Sequence, residues 1–177
     1  MKYYNRNATK PSISNGYEIP REPRMQVKKI ENKEDYIDLL LEADPSKNMI
    51  HKYLNDSDVY ALKKGDELIS IAVILHIDRK TLELKNIVTT EKYRNKGYAK
   101  TLLKSLCGNY KQKYDRMLGG TTENNIPFYV KQGFDKYEKT VKNFFIDNYN
   151  EEIKDGDLVC TDLIYYSKDL KKKVKDN

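Results

Sequence analysis

The residue types in this sequence best suited to chemistry lie between Leu82 and Leu106. An apolar run ends at Thr89 and leads to the turn Arg94-Asn95-Lys96-Gly97-Tyr98-Ala99. Ala99, Leu102, Leu103, Leu106 and Tyr110 then recur at helical spacing. A strand that turns through glycine into a helix leaves the N–H groups of the first helical turn without intrahelical acceptors. The helix dipole adds positive potential at the same place. Such a terminus suits an anion, a pyrophosphate above all. Gly97 lets the backbone come close, small Ala99 keeps the first turn open, and Arg94, Lys96 and Lys100 add charge. The same residues also describe an ordinary β–α turn with a capping glycine. The turn lacks the three glycines of the dinucleotide fingerprint and the Gly-Lys-Ser/Thr of the P-loop.

The elements that must hold this turn can be read from periodicity. Met25 to Ile30 alternates apolar and polar residues, a strand signal. Tyr36, Leu39, Leu40 and Ala43 recur at helical spacing after Asn32 and Asp35, and Pro45 ends that helix. A second helix puts Met49, Ile50, Tyr53 and Leu54 on one face. Val59 to Leu62 and Leu68 to Ile77 flank Lys64-Gly65-Asp66 as a hairpin, and a turn near Asp78-Arg79-Lys80 leads into Leu82 to Thr89. After the long helix come a strand at Arg116 to Thr121 and a short helix from Asn124 to Lys131, with Gly133 as its stop signal. Val141 to Ile146 and Leu158 to Tyr166 read as the final strands. The order β-α-α-β-β-β-α-β-α-β-β predicts an α/β fold, a mixed sheet with helices on both faces.

Composition narrows the function classes. The 177 residues fit one domain with a real core. No apolar run approaches membrane-spanning length, and the first ten residues lack the apolar stretch of a signal peptide. Two cysteines and two histidines make neither a disulfide framework nor a His-rich metal site. A cytoplasmic, reduced, metal-free protein is the expectation. The net charge of +6 is concentrated at the ends. Residues 1–24 carry five basic and two acidic side chains, as do residues 168–177, and residues 25–167 are neutral overall. Nucleic-acid binding normally puts its basic stripe on the folded body, so no nucleic-acid partner is expected. The chain divides into an irregular basic extension at 1–24, a domain at 25–167 and a basic tail at 168–177. The extension could drape on the domain through Tyr3, Tyr4, Ile13, Tyr17 and Ile19.

Two blocks of sequence resemble a known family. Leu84 to Ala99, with Gln/Arg-x-x-Gly-x-Gly/Ala as its pattern at Arg94 to Ala99, resembles the acetyl-CoA signature of the GNAT superfamily of N-acetyltransferases. Some thirty residues on, Asn124-Asn125-Ile126-Pro127-Phe128-Tyr129-Val130-Lys131-Gln132-Gly133-Phe134 resembles that family's second block. The resemblance covers residues 25–167 and implies the GNAT fold, a mixed central sheet of about seven strands with about four helices. Asn143 to Tyr149 with Asp162 to Tyr165 is similar to a bacterial, mainly Gram-positive subgroup of undefined substrate. The resemblance implies that Ile87, Val88 and Thr89 border the pantetheine arm. It assigns Arg94 and Asn95, Lys96, Gly97, Tyr98, Ala99 and Lys100 to the pyrophosphate cradle, and Asn124 and Phe128 to the arm's other side. Asn125 replaces the usual small residue, and Pro127 shortens the helix.

The activity implied is acetyl transfer from acetyl-CoA to a primary amine, small-molecule or peptide, by direct attack. An alkylammonium of pKa about 10 must lose a proton before attack, and the resemblance makes Glu83 the candidate base, since it lies just ahead of the pantetheine stretch where several family members carry a catalytic glutamate. Glu83 could equally be a strand residue paired with Lys85. Strict alternation puts Leu84, Asn86 and Val88 on one face and Glu83, Lys85 and Ile87 on the other. Tyr129 is the candidate acid for the departing thiolate, or else a core aromatic beside Phe128 and Phe134. A backbone N–H near Val88 or Thr89 would polarise the carbonyl. Cys107 and Cys160 read as core residues. The acidic stretch Asp147 to Asp157 is either a solvated loop or a lure for cationic acceptors. The alternative function is a non-catalytic acyl-CoA-binding or protein-interaction module, and a weaker one tethers the domain to ribosomes or RNA through its basic ends. A homodimer is possible by family precedent.

Overall fold

Residues 25–89 run as an antiparallel meander broken by two helical pieces. Strand β1 (Met25–Ile30) passes through a 3-10 turn into α1 (Ile37–Leu40), then α2 (Lys47–Leu54), β2 (Ser57–Lys64), β3 (Glu67–His76) and β4 (Thr81–Thr89). The structure, a computed structural model, describes residues 13–14, 17–18 and 23–171. Pro45 and Ser46 separate α1 from α2, and Ser46 Oγ accepts from the Met49 N–H at 3.3 Å as an N-cap. The β2–β3 turn has Gly65 at φ +61°, a conformation that favours glycine. The chain continues through α3 (Tyr98–Tyr110), β5 (Arg116–Thr121), α4 (Ile126–Lys131), β6 (Lys136–Val141), α5 (Phe144–Asn148) and β7 (Leu163–Asp169).

The seven strands form one sheet in the order β1-β2-β3-β4-β5-β7-β6. Every neighbouring pair is antiparallel except β4 with β5. Each face of the sheet carries its own core. Leu102, Leu103 and Leu106 of α3 bury against Ile69, Ile74, Leu82, Leu84, Met117 and Phe134. Leu40, Ile50 and Leu54 of α1 and α2 bury against Val59, Ile71, Val73 and Val88. Removing one such Leu side chain costs about 2–5 kcal/mol.

Two expectations shift. Phe144 to Ile146 do not continue a strand but lie in α5, and the strand precedes them at Lys136–Val141. The apolar run misled because β6 is an edge strand of mostly polar residues. Asn143, at φ +56°, turns the chain into α5 while its N–H donates to Asp162 Oδ1 at 3.0 Å. The long final strand is shorter at its start: Leu158–Val159 pairs with Lys154–Asp155 as a small hairpin, and β7 begins at Leu163. It ends at Asp169, and Leu170 beyond it is buried. Of the extension at 1–24, Ile13–Ser14 pairs with Tyr17–Glu18, and the expected draping residues Tyr3, Tyr4 and Ile19 lie outside the described residues. So do residues 172–177 of the basic tail. Among the described residues no helix is long and apolar enough to cross a membrane.

The C-terminal half of α3 is tied to the sheet by one carboxylate. Asp58 of β2 accepts from Lys29 Nζ at 2.7 Å, His76 Nε2 at 2.9 Å and Tyr110 Oη at 2.9 Å. His76 Nδ1 lies 2.7 Å from Tyr114 Oη, which extends the tie. Burial opposes the charge on Asp58, but the bonds from Lys29, His76 and Tyr110 outweigh it and hold the carboxyl at about 2. A carboxyl depressed below its unfolded value of about 3.9 stabilises the fold at higher pH and loses that contribution on acidification from about 4 towards 2. Asp58→Asn is expected to cost about 1–3 kcal/mol in urea unfolding at pH 7, with the gap to the parent protein closing as pH falls through that window.

Candidate active site

The parallel junction of the sheet is short. β4 and β5 pair only from Thr81↔Arg116 to Leu84↔Gly119. Beyond that point β4 stays on β3 up to Thr89, and β5 stays on β7 up to Thr121. The pairing stops at a bulge. Ile74 faces Leu84 and Val73 faces Asn86, so Lys85 is the extra residue in β4. A bulge bends and twists its strand, which carries the rest of β4 away from β5.

The bulge also corrects the alternation read from the sequence. Leu82 and Leu84 belong to the core under α3, and Ile87 packs against that same core. Asn86 bonds Leu40 O and Tyr53 Oη, and Val88 belongs to the core under α1 and α2. Lys85 lies over the Tyr53 ring and bonds Glu83. Glu83, Lys85, Asn86 and Val88 therefore share the α1–α2 face, which strict alternation would have split.

The open seam leads into one cavity of about 1120 Å³. At one end lies the turn into α3. Asn95 and Gly97 have φ of +60° and +81°, and a Cβ on Gly97 would meet nothing within 4 Å, so the turn faces open space. No side chain caps α3, and its first intrahelical bond runs from Thr101 N–H to Gly97 O at 3.0 Å. Its first-turn N–H groups are thus presented outward with the dipole behind them. Arg94 Nε donates to Thr89 O at 3.1 Å, and its guanidinium pairs with Glu42. Lys100 is exposed at the rim.

Backbone direction along the open edge follows from these contacts. Thr89 O faces the seam, where it accepts from Arg94. Val88 O faces β3, where Ser70 Oγ donates to it at 2.8 Å. In an antiparallel ladder a residue's N–H and C=O point the same way. The N–H groups of Ile87 and Thr89 therefore face the seam, and that of Val88 does not.

At the other end lie the candidate catalytic side chains. Glu83 is buried, with 7% exposed, and its Oε1 accepts from Lys85 Nζ at 2.9 Å and Tyr165 Oη at 3.1 Å. Tyr129 of α4 stacks edge-on against Phe128 and Phe134. Burial, and after it the Glu83 charge, push its phenol up to about 12. The same two causes push Tyr165 up. Tyr129 fits only because Gly119 has no side chain: a Cβ there would lie 2.5 Å from Tyr129 Cε1.

The remaining walls come from the α1–α2 region and the segment that follows β6. Asp44 accepts from Tyr149 Oη at 3.0 Å, Tyr53 Oη at 3.3 Å and the Ser46 N–H at 3.3 Å. Burial raises its carboxyl above the usual range, and those bonds offset only part of the rise. Phe144, Phe145 and Cys160 complete this side. Phe144, Phe145 and Tyr149 belong to the Asn143 to Tyr149 segment singled out above, Asp44, Tyr53 and Cys160 sit in no recognisable motif, and all of them converge through tertiary packing.

Of the sequence-identified cofactor residues, Ile87, Val88, Thr89, Arg94, Asn95, Gly97, Tyr98, Ala99, Lys100 and Phe128 line the cavity together with Glu83 and Tyr129. Lys96 and Asn124 are engaged elsewhere. Lys96 Nζ donates to Lys92 O at 3.0 Å and lies over the Tyr93 ring. Asn124 Nδ2 donates to Asp155 O at 2.7 Å, while Thr122 and Asn125 both donate to Asp155 Oδ2. The small hairpin is thereby pinned to the β5–α4 loop. In the acidic stretch Asp155 is occupied in this way, and Glu152 pairs with Lys154 at 3.2 Å.

A seven-stranded mixed sheet splayed at its one parallel junction, with a glycine turn and an uncapped helix at the seam, defines a binding fold for an elongated anion. Residues 18–134 match the acetyltransferase (GNAT) family, and the chain belongs to that family. It is 30% identical over 144 residues to YvbK of Bacillus subtilis (strain 168), an uncharacterized N-acetyltransferase, covering 79% of this chain and 92% of that one. Among solved structures it is similar to a GNAT family acetyltransferase from Elizabethkingia anophelis with acetyl-CoA bound. The identity there is 35% and the TM-score 0.76, over 82% of this chain and 97% of the other. A Bacillus subtilis acetyltransferase in complex with CoA is 28% identical with a TM-score of 0.71, over 82% and 99% of the two chains.

Gly119→Ala tests the packing of the site. The added methyl must move the Tyr129 ring, and such overpacking costs about 1–3 kcal/mol. The expected result is a lowered unfolding midpoint in urea, and the loss in Gly119→Ala combined with Tyr129→Ala should be smaller than the sum of the two single losses.

Proposed function

We propose that this acetyltransferase uses acetyl-CoA and transfers the acetyl group to a primary amine by direct attack in a ternary complex. The observation that carries the reading is the open seam, which joins the Gly97 turn to Glu83 and Tyr129 in one cavity. The residues fit the donor. Gly97 offers empty space beside outward N–H groups for the pyrophosphate. The unpaired edge of β4 offers the N–H groups of Ile87 and Thr89 to an amide-bearing arm. Five residues from Lys85 to Thr89 span about 17 Å of strand. Phe128 would line the arm's other side. When bound, acetyl-CoA supplies an activated thioester carbonyl.

This chain's own groups would do the rest. Glu83 accepts a proton from the acceptor's ammonium, which frees the neutral amine to attack, and its burial keeps that transfer out of bulk water. The outward N–H of Ile87 or Thr89 polarises the carbonyl, a role the sequence alone left between Val88 and Thr89. Tyr129 stays protonated at neutral pH with its phenol near 12, and so can donate to a departing thiolate. Asp44 and the surrounding phenols form the acceptor wall. The acidic stretch is a weaker lure for cations than its composition implied, since Asp155 is committed to Thr122 and Asn125. The narrower kinship, with a mainly Gram-positive subgroup, rests on the Asn143 to Tyr149 segment.

Calorimetric titration with acetyl-CoA tests the donor site. One-to-one binding is expected, weakened about tenfold by Gly97→Val, whose side chain strains a positive φ. Absence of binding by folded protein would overturn the reading and favour the interaction-module alternative. For the chemistry, Glu83→Gln is expected to lower amine-dependent release of coenzyme A by about 10²–10⁴-fold while leaving acetyl-CoA affinity unchanged.

A further inference from the structure

An acceptor amine in this reaction must bring its nitrogen to the carboxylate of Glu83. The chain already holds an amine there. Lys85 Nζ lies 2.9 Å from Glu83 Oε1, with the side chains 22% and 9% exposed. The same Nζ sits 5.3 Å from the centre of the Tyr53 ring, a cation–π contact that steadies it inside the cavity. Tyr165 Oη holds the same Glu83 oxygen at 3.1 Å. The bulge is responsible for this arrangement: Lys85 is the extra residue of β4, at the point where the open edge begins.

We propose that Lys85 is an internal acceptor, and that the protein acetylates its own Lys85 Nζ when loaded with acetyl-CoA. The inference rests on the donor reading given above. The step balances without another reagent. The Lys85 ammonium gives a proton to Glu83, and the freed Nζ lone pair forms the new C–N bond with the acetyl carbon. The C–S bond breaks, its electron pair leaves with the sulfur, and the thiolate takes a proton from Tyr129. The nitrogen loses its second proton as the amide forms; that proton restores the Tyr129 phenol, and Glu83 passes its own to water. Acetylation removes the positive charge from Glu83 and releases that carboxylate to an external amine. The modified lysine would thus be the resting form of the working enzyme rather than a dead end.

The test is intact-protein and peptide mass spectrometry of the purified full chain incubated with acetyl-CoA, with calorimetry of acetyl-CoA binding run in parallel. The expected result is a gain of one acetyl group located on Lys85. Its rate should be independent of protein concentration, as an intramolecular step requires, and slowed about a hundredfold in Glu83→Gln. Lys85→Arg should abolish the mass gain while still binding acetyl-CoA, which separates loss of the acceptor from loss of the fold. Lys136 and Lys142, 72% and 77% exposed, report non-enzymatic acetylation in the same sample. Normal acetyl-CoA binding with label only on such exposed lysines, or a Lys85 label that Glu83→Gln leaves unslowed, would overturn the proposal. Failure to bind acetyl-CoA would instead remove the donor reading and this inference with it.

Discussion

One extra residue in β4 governs the rest of this molecule. Without the bulge at Lys85, β4 would continue to match β5, and the parallel junction would close along its length. With it, pairing ends after four residue pairs and two sheet halves diverge around a cavity. The same insertion moves Lys85 and Asn86 onto one face, so that Glu83, Lys85 and the α1–α2 contacts meet on the same side of the sheet. The opening and the side chains that face it are consequences of a single backbone irregularity. Asn86 secures the arrangement: its amide reaches Leu40 O at 3.0 Å and Tyr53 Oη at 3.3 Å, joining the bulge to α1 and α2.

The electrostatics of the cavity follow from which charges are already occupied. Glu83 is matched by Lys85, and Arg94 by Glu42. Asp155 and Asp162 serve the loops that hold the hairpin and α5 in place. Asp44 differs, because its hydrogen bonds come from two phenols and a backbone N–H, all neutral. Burial outweighs those bonds and the nearby charge of Lys85, and its carboxyl rises. A net charge summed along the sequence conveys none of this, since spatial pairing decides which charges remain to act on a ligand.

Local signals in the sequence located the meander, α3 and the Gly97 turn, because hydrophobic period and glycine chemistry are properties of neighbouring residues. The family blocks pointed to Tyr129, inside the second, and to Glu83, just ahead of the first, as candidates. Their surroundings were another matter. A bulge is set by how β4 meets β3; Leu84 and Ile87 stand three positions apart rather than two, and strict alternation read across Lys85 and Asn86 passes over that break. Tyr165 reaches Glu83 across 82 positions, and Tyr149 reaches Asp44 across 105. Fifteen tyrosines made each of them look interchangeable in the sequence. Polar β6 and helical Phe144–Phe145 inverted the usual cue, since an edge strand needs few apolar residues while even a short helix can bury an aromatic such as Phe145.

The order of strands in the sheet has a kinetic meaning. From β1 to β4 each strand pairs with the one before it; β2 to β4 can zip up through short turns at small entropic cost, and β1 joins them across the α1–α2 connection. The other half cannot, because β7 must insert between β5 and β6 after both have been made. During synthesis the first half and α3 are exposed for folding before β7 leaves the ribosome. Tyr165, which completes the Glu83 environment, arrives with that last strand. The meander is thus a scaffold that forms early, and the seam closes into a working cavity only when the insertion of β7 is complete.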